Sequence, residues 1–327
     1  MKSLSKKLQV WSKTRITVIG GGTGLSSLLS GLKKYTHHLT SIVTVTDDGG
    51  SSGTLREELQ VLPPGDIRNC LVALADEETL LSKLFQYRFP GTGHLRGHSF
   101  GNLFLTAMAD VAGGFDRGII ESSKVLAIRG RVLPVTLDEV RLRAETDNGI
   151  IYGETKIART KKQIRNISLV PIPTPTPGPY VLKSISEADL IVLGPGSLFT
   201  SIIPNLLVDG VSESIANANG KKIFVCNIMT QPGETYGFTA QDHYRIIEKY
   251  LGKNIIDYIF INSGIISANA QKRYARKNSV SVHDDISIHA NKNAFPKVKK
   301  YNFIRSDELV RHDSHKLAQA VLQVRSS

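Results

Sequence analysis

The stretch Arg15-Ile-Thr-Val-Ile-Gly-Gly-Gly-Thr-Gly-Leu25 decides how the chain is read. Ile16 to Ile19 are apolar or β-branched and run straight into Gly20, Gly21, Gly22, Thr23 and Gly24. Leu25, Leu28, Leu29 and Leu32 then recur at spacings of three and four, the apolar stripe of an amphipathic helix. Strand, glycine turn and helix in that order open a nucleotide-binding α/β unit. Glycines permit the tight turn and put no side chain between backbone and ligand. N–H groups at the positive end of the helix dipole suit a phosphate. An anion site is therefore expected at Gly21, Gly22, Thr23 and Gly24, without a named ligand.

Downstream, the β-branched run Thr40 to Thr46 predicts a second strand, ending in Asp47-Asp48-Gly-Gly-Ser-Ser-Gly53. An acidic residue about twenty positions beyond the glycine turn binds a ribose hydroxyl in dinucleotide folds, and Asp47 or Asp48 is placed for that. Two details argue against a plain nicotinamide site. Leu25 occupies the third glycine position of G-x-G-x-x-G, and the acidic pair opens a second glycine- and serine-rich loop. Loops after neighbouring strands can converge on one ligand at the carboxyl edge of a sheet.

Pro63-Pro-Gly-Asp66 predicts a turn into a helix through Leu71 and Leu74, with Asp66 as N-cap or ligand contact and Arg68 and Asn69 in the first turn. Residues 79 to 89 predict another helix. A helix over 98–108 would put His98 and Asn102 at i and i+4, facing the ligand. From 124 to 172 the pattern alternates, and Asp147-Asn148-Gly149 is a hairpin signal, so a small antiparallel β insertion with an exposed polar face is expected. The α/β pattern resumes with a strand over 188–193 ending in Gly194-Pro-Gly196-Ser197. Another over 221–226 leads to Asn227, Gln231 and Glu234, and a third spans 255–261. Helices are predicted over 205–218, 239–251 and 307–323, with a last strand over 301–304. The whole predicts an α/β fold: a doubly wound, Rossmann-like, mostly parallel sheet with a small antiparallel insertion. Its domain organisation is read as a basic N-terminal extension over 1–14 and a single domain over 15–327.

Of the 327 residues, 41 are Lys or Arg and 29 Asp or Glu, a formal net charge of +12. The basic clusters carry few aromatics and no nucleic-acid-binding signature, so an anionic ligand or acidic partner is expected rather than specific nucleic acid. No apolar run is long enough to span a bilayer, and the basic N-terminus lacks the apolar stretch of a signal peptide. A cytoplasmic protein without a transmembrane segment is the expectation. Cys70 and Cys226 lack metal-ligand spacing and read as small buried hydrophobes.

The loops taken together resemble the gluconeogenesis-factor (YvcK-like) branch of the YvcK/CofD family. The segments that carry the resemblance are IGGGTGLSSLLSGLK (19–33), VTVTDDGGSSGTLR (43–56), PPGDIRN (63–69), GHSFGNL (97–103), GPGSLFTSIIPNLL (194–207), CNIMTQPGET (226–235) and DELVRH (307–312). The resemblance implies a bacterial, cytoplasmic, Rossmann-like regulatory factor that binds a UDP-sugar such as UDP-N-acetylglucosamine. It also implies a role in cell shape and peptidoglycan synthesis during gluconeogenic growth, with cell-wall synthesis proteins as partners. The related CofD branch moves a phospholactyl group from an activated guanosine diphosphate donor to a deazaflavin alcohol, so a transferase is the alternative. Tyr236 departs from the aspartate common at that position in the YvcK-like branch.

In this reading the amides of Gly21 to Gly24 hold phosphate oxygens. Asp47 or Asp48 accepts from a sugar hydroxyl, or Asp48 holds Mg²⁺, the one cofactor entertained. Gly194, Gly196 and Ser197 form a second turn, and Asn227, Gln231 and Glu234 supply donors and acceptors for sugar and base. Arg311 approaches the diphosphate, with an ion pair to Asp307 or Glu308 as the competing role. The UDP-sugar is a ligand rather than a cofactor, and a homo-oligomer is expected. No nucleophile with its base is evident, so the catalytic residues are unassigned.

Overall fold

A computed structural model of the chain describes residues 9–76, 80–286, 296–305 and 309–325. The predicted run is β1 (Ile16–Gly20), buried throughout, and the helix that follows is α1 (Gly22–Leu32). After β2 (Leu39–Val43) come α2 (Gly50–Leu59), α3 (Gly65–Leu74), α4 (Leu80–Gln86), α5 (Phe100–Ala112) and α6 (Phe115–Val125), then β3 (Arg131–Pro134). The middle holds β4 (Arg141–Thr146), β5 (Gly149–Tyr152), α7 (Glu154–Ala158) and β6 (Ile164–Val170). The second half runs through α8 (Val181–Ser186), β7 (Leu190–Leu193), a π-turn at Leu198–Ile202 continuing into α9 (Ile203–Leu206), α10 (Val211–Asn217) and β8 (Lys221–Val225). It ends with α11 (Ala240–Leu251), β9 (Tyr258–Asn262), α12 (Ala268–Ala275), β10 (Lys297–Tyr301) and α13 (Ser314–Arg325).

Seven strands form one sheet in the order β3-β2-β1-β7-β8-β9-β10, each pair parallel. Winding goes outward from β1 to β3, then restarts beside β1 at β7, so the order reverses between β1 and β7. That reversal is where an open parallel sheet leaves a crevice beyond its carboxyl ends. Side chains alternate across the sheet with period two. Ile16 and Val18 join a core with Leu25 and Leu29 of α1, Leu71 of α3 and Val321 of α13. Ile19 faces the other core, with Ile185 of α8, Ile247 of α11 and Leu142 and Ile167 of the insertion. The fold class is the expected one.

Several boundaries differ from expectation. The antiparallel sheet, ordered β5-β4-β6, spans 141–170 rather than 124–172, because α6 ends at Val125 and β3 joins the main sheet beside β2. Its hairpin turns at the expected place, with Thr146 opposite Gly149. The segment read as an extension over 1–14 ends inside the body. Trp11 is buried edge-on to Tyr35 (centroids 5.5 Å apart, planes at 87°), and the Thr36 hydroxyl donates to the Thr14 carbonyl at 3.0 Å. Residues 1–8 lie outside the described residues. The helix expected over 205–218 is broken at 207–210, where Gly210 takes a left-handed φ of 68°. Cys70 and Cys226 are buried and free, as read. No helix among the described residues is long and apolar enough to cross a membrane.

Candidate functional site

At the reversal point the turns after β1, β7 and β8 surround a cavity of about 340 Å³. Gly21, Gly22, Thr23 and Gly24 form one wall, Gly196 and Ser197 a second, and Asn227 and Gln231 a third; Tyr274, Lys277, Arg311 and His312 complete it. The first two turns touch: a methyl group at Gly24 would sit 2.5 Å from the Pro195 carbonyl oxygen, and one at Gly196 would sit 3.2 Å from that of Gly21. Only residues without Cβ allow this approach. Side chains then lace the turns together. Gln231 donates through Nε2 to the Ser197 hydroxyl at 2.5 Å and accepts through Oε1 from Asn227 Nδ2 at 3.1 Å.

Among the described residues the lining contains Lys277 and Arg311 but no aspartate or glutamate. Glycine amides, a helix start and two cations, with no opposing carboxylate among the described lining residues, favour an anion. Arg311 reaches the cavity because α13 begins only at Ser314, the expected start at 307 being too early. Asp313 instead caps that helix, accepting from the N–H groups of His315 and Lys316 at 2.9 Å each. Arg311 is thus not helical, and the helical spacing behind its expected ion pair with Asp307 or Glu308 does not apply. Those two residues lie outside the described residues. Burial holds His312 neutral, its pKa lowered to about 4, and its Nε2 has no partner among the described residues. A neutral imidazole at the wall can donate to or accept from a ligand. The Tyr274 hydroxyl accepts from the Val310 N–H at 3.1 Å, tying α12 to the Arg311 segment.

The remaining expected residues lie beside the cavity rather than on it. Asp66 does not cap its own helix, whose N-cap is Pro64; its Oδ2 accepts from the Gly22 N–H at 2.7 Å. One of the four amides assigned to phosphate is therefore taken by a carboxylate, leaving Gly21, Thr23 and Gly24. Asp48 accepts through Oδ1 from both the N–H and the hydroxyl of Thr155, each at 2.7 Å, which fixes α7 of the insertion to the end of the β2 segment. Asp47 accepts from the Gly49 N–H at 2.9 Å. His98 precedes α5, whose N-cap is Ser99, so it shares no helical face with Asn102. The two still meet at Ser51, whose hydroxyl lies 3.2 Å from His98 Nδ1 and accepts from Asn102 Nδ2 at 3.2 Å. Arg68 donates to Asn102 Oδ1 at 3.0 Å and Asn69 Oδ1 at 2.8 Å. Gly194 donates its N–H to the Ile19 carbonyl at 3.0 Å. Glu234, expected at sugar or base, accepts from the Phe199 N–H at 3.2 Å and the Thr200 hydroxyl at 3.1 Å, closing the π-turn after β7. Among the described residues no group of three or more His, Cys, Asp and Glu side chains is arranged to hold a metal ion.

Behind the glycine turn these carboxyl groups are held near one another with little water. Burial, with Asp47 nearby, pushes Asp66 up to about 6. Burial likewise raises Glu234 to about 7 and, aided by Asp47 and Asp66, puts Glu154 well above its usual range. The folded Asp66 value lies above the ordinary 3.8, so the folded state binds the extra proton. The stability this group contributes is complete below about pH 4 and is lost as pH rises through about 6. Asp66→Asn can still accept from Gly22. It should exceed the native chain in stability by about 2–3 kcal/mol at pH 8 and by nothing at pH 4. Denaturant midpoints at the two pH values check this; equal destabilisation at both would mean that Gly22 requires a carboxylate.

Fold and cavity together define a Rossmann-like α/β protein whose glycine turns wall a cationic pocket at the reversal of its sheet. A family model described as 2-phospho-L-lactate transferase CofD matches residues 16–324. The gluconeogenesis factor of Halalkalibacterium halodurans is 44% identical over 313 residues, covering 95% of this chain and 96% of that protein. The gluconeogenesis factor of Bacillus subtilis is also 44% identical over 313 residues, covering 95% and 98%. The crystal structure of a UPF0052-family protein from Bacillus halodurans matches with a TM-score of 0.90 at 44% identity, over 95% of this chain and 100% of that one. The chain belongs to the gluconeogenesis-factor branch of the CofD family.

Proposed function

We propose that the cavity binds a nucleotide diphosphate sugar of the UDP-N-acetylglucosamine kind and that the protein is a regulatory factor. In this reading it carries the state of that ligand pool to cell-wall synthesis, supporting cell shape during gluconeogenic growth. The observation that carries the reading is the composition of the pocket: glycine amides and two cations at the switch point of a parallel sheet, with no carboxylate among the described lining residues. The diphosphate would lie against Gly21, Thr23, Gly24 and Arg311, with sugar and base against Ser197, Asn227, Gln231 and the neutral His312. The names of the relatives support the link to gluconeogenesis. Asp66 and Glu234 hold the walls rather than touch the ligand, and any Mg²⁺ would arrive with the phosphates.

A transferase is the second reading, favoured by the family model's description and by the elevated carboxyl groups behind the turn, which suit acid–base work near neutral pH. Calorimetry with UDP-N-acetylglucosamine separates the two when combined with mass spectrometry. Saturable binding without product supports the sensor. A phospholactyl deazaflavin product from guanosine-diphosphate-activated lactate supports the transferase. Absence of binding at millimolar UDP-sugar removes the first reading.

A further inference from the structure

Next to the glycine-turn cavity, sharing Pro232 with it, is a larger hollow of about 990 Å³. It lies between the 158–163 segment leaving α7, the 232–238 turn and the face of α11 that carries Asp242, Arg245 and Ile246. Four cations line it: Arg159, Lys161, Lys162 and Arg245. Among the described residues its two carboxylates are engaged within the fold. Glu234 is turned to the Phe199 N–H and the Thr200 hydroxyl. Asp242 accepts from the N–H and hydroxyl of Thr239 at 3.0 Å each, capping α11. By contrast, Arg159 and Lys161 make no ion pair among the described residues, and Arg245 has only a 3.7 Å contact with Asp242. Tyr236 stands 68% exposed at the rim, and Phe238, packed edge-on to Phe199 and His243, floors the hollow.

A concave surface combining unneutralised cations with an exposed aromatic ring matches a ligand that has negative charge at one end and a flat π-face at the other. Guanidinium and ammonium groups pair with phosphate oxygens, while a tyrosine ring accepts a stacked base whatever its identity. We propose that this hollow is a second binding site, for a phosphorylated small molecule with a planar ring, the chemistry of a nucleotide. Its phosphates lie against Arg159 and Lys161 and its ring against Tyr236. The site is independent of whatever fills the glycine-turn cavity, although Gln231 and Gly233, on either side of Pro232, put the two occupants on one loop.

Adenosine triphosphate is the probe. Calorimetry on the full chain measures its affinity in the native protein, in Arg159→Glu/Lys161→Glu, in Tyr236→Ala and in Arg311→Ala. In parallel, 8-azidoadenosine triphosphate is photolysed with the native protein and the labelled peptide mapped. The expected result is label on the peptide containing Tyr236. Affinity should fall about tenfold or more in the charge-reversed variant, fall in Tyr236→Ala, and hold in Arg311→Ala. These substitutions are at exposed positions, and Tyr236→Ala changes no charge, so it keeps the test valid if charge reversal perturbs folding. Absence of saturable binding overturns the proposal. So does affinity indifferent to both Arg159→Glu/Lys161→Glu and Tyr236→Ala, or labelling confined to the glycine-turn cavity.

Discussion

Replacing Arg311 by alanine should weaken UDP-N-acetylglucosamine binding by about 10- to 100-fold, the equivalent of losing one charge-assisted hydrogen-bonded pair with a phosphate. The melting temperature should move by no more than about 2 °C, since an exposed side chain outside regular structure contributes little to folding. The expectation follows from where the chain puts this residue. The segment before α13 runs non-helically along the cavity, held by the Tyr274 hydroxyl at Val310 and by the Asp313 cap. Lys277 also lines the cavity, and no carboxylate among the described lining residues competes for either charge. Arg311→Lys should recover only part of the loss, because an ammonium cannot reproduce the two-point geometry of a guanidinium. Calorimetry on the three proteins, with thermal melts alongside, gives the answer. Equal affinities would take Arg311 out of the site.

Gly24→Ala should be the most damaging single methyl group near the cavity. Gly24 lies in the first turn of α1, where alanine is ordinarily better than glycine by about 1 kcal/mol. Here the added Cβ would fall 2.5 Å from the Pro195 oxygen and 2.9 Å from its carbonyl carbon, both backbone atoms that no rotamer change can move. Relief requires the first and second glycine turns to separate. We expect a net loss of about 2–3 kcal/mol of stability, in the range of overpacked cores, against the sign that helix propensity alone predicts. Ligand affinity should fall with it, because the same separation pulls Gly196 and Ser197 from the first wall. Chemical denaturation and calorimetry measure the two effects. A variant that gained stability would show that the turns are not in contact.

What the sequence made legible was local. The run into Gly20 to Gly24 announced strand, turn and helix because a tight turn needs glycine at that spot whatever the rest of the chain does. The second and third turns, at Gly194 and Asn227, were readable in the same way, and so was the parallel sheet built from the apolar runs before them. The roles of the polar residues were not. Asp66 read as a cap or a ligand contact, yet it bonds across the structure to Gly22, 44 positions away in sequence. Glu234 read as a ligand contact, yet it closes the turn that starts at Leu198. A carboxylate beside glycine loops has the same signature in either role, and only tertiary placement tells them apart. Glu154 was passed over in a stretch taken for an exposed strand, although Thr46 donates to it at 3.3 Å and burial raises its pKa. Tyr274 and Lys277, and His312 beside the chosen Arg311, carry no signal of their own for the cavity, since only tertiary placement brings them to its wall. Lys277 closes the basic run Lys272-Arg273-Tyr-Ala-Arg276-Lys277, a composition that a surface helix end shares.

The same distinction bears on how the protein can work. Its cavity walls are tied together by polar contacts, Gln231 to Ser197 and Asp66 to Gly22, and beside them Asp48 to Thr155 ties the insertion to the sheet. A preformed site of this kind holds a ligand with little reorganisation, as recognition requires. The raised carboxyl groups behind it make the scaffold sensitive to pH between about 4 and 7, and the sign of the Asp66→Asn difference reports that sensitivity.

The central claim is that the cavity at the reversal of the sheet receives a nucleotide diphosphate sugar. A crystal structure of the full chain with UDP-N-acetylglucosamine tests it most directly. Diphosphate density is expected against the amides of Gly21, Thr23 and Gly24 with the Arg311 guanidinium on its oxygens, and the sugar or base against Asn227 and Gln231. Density for the ligand elsewhere, with the glycine turns empty at saturating concentration, would contradict it.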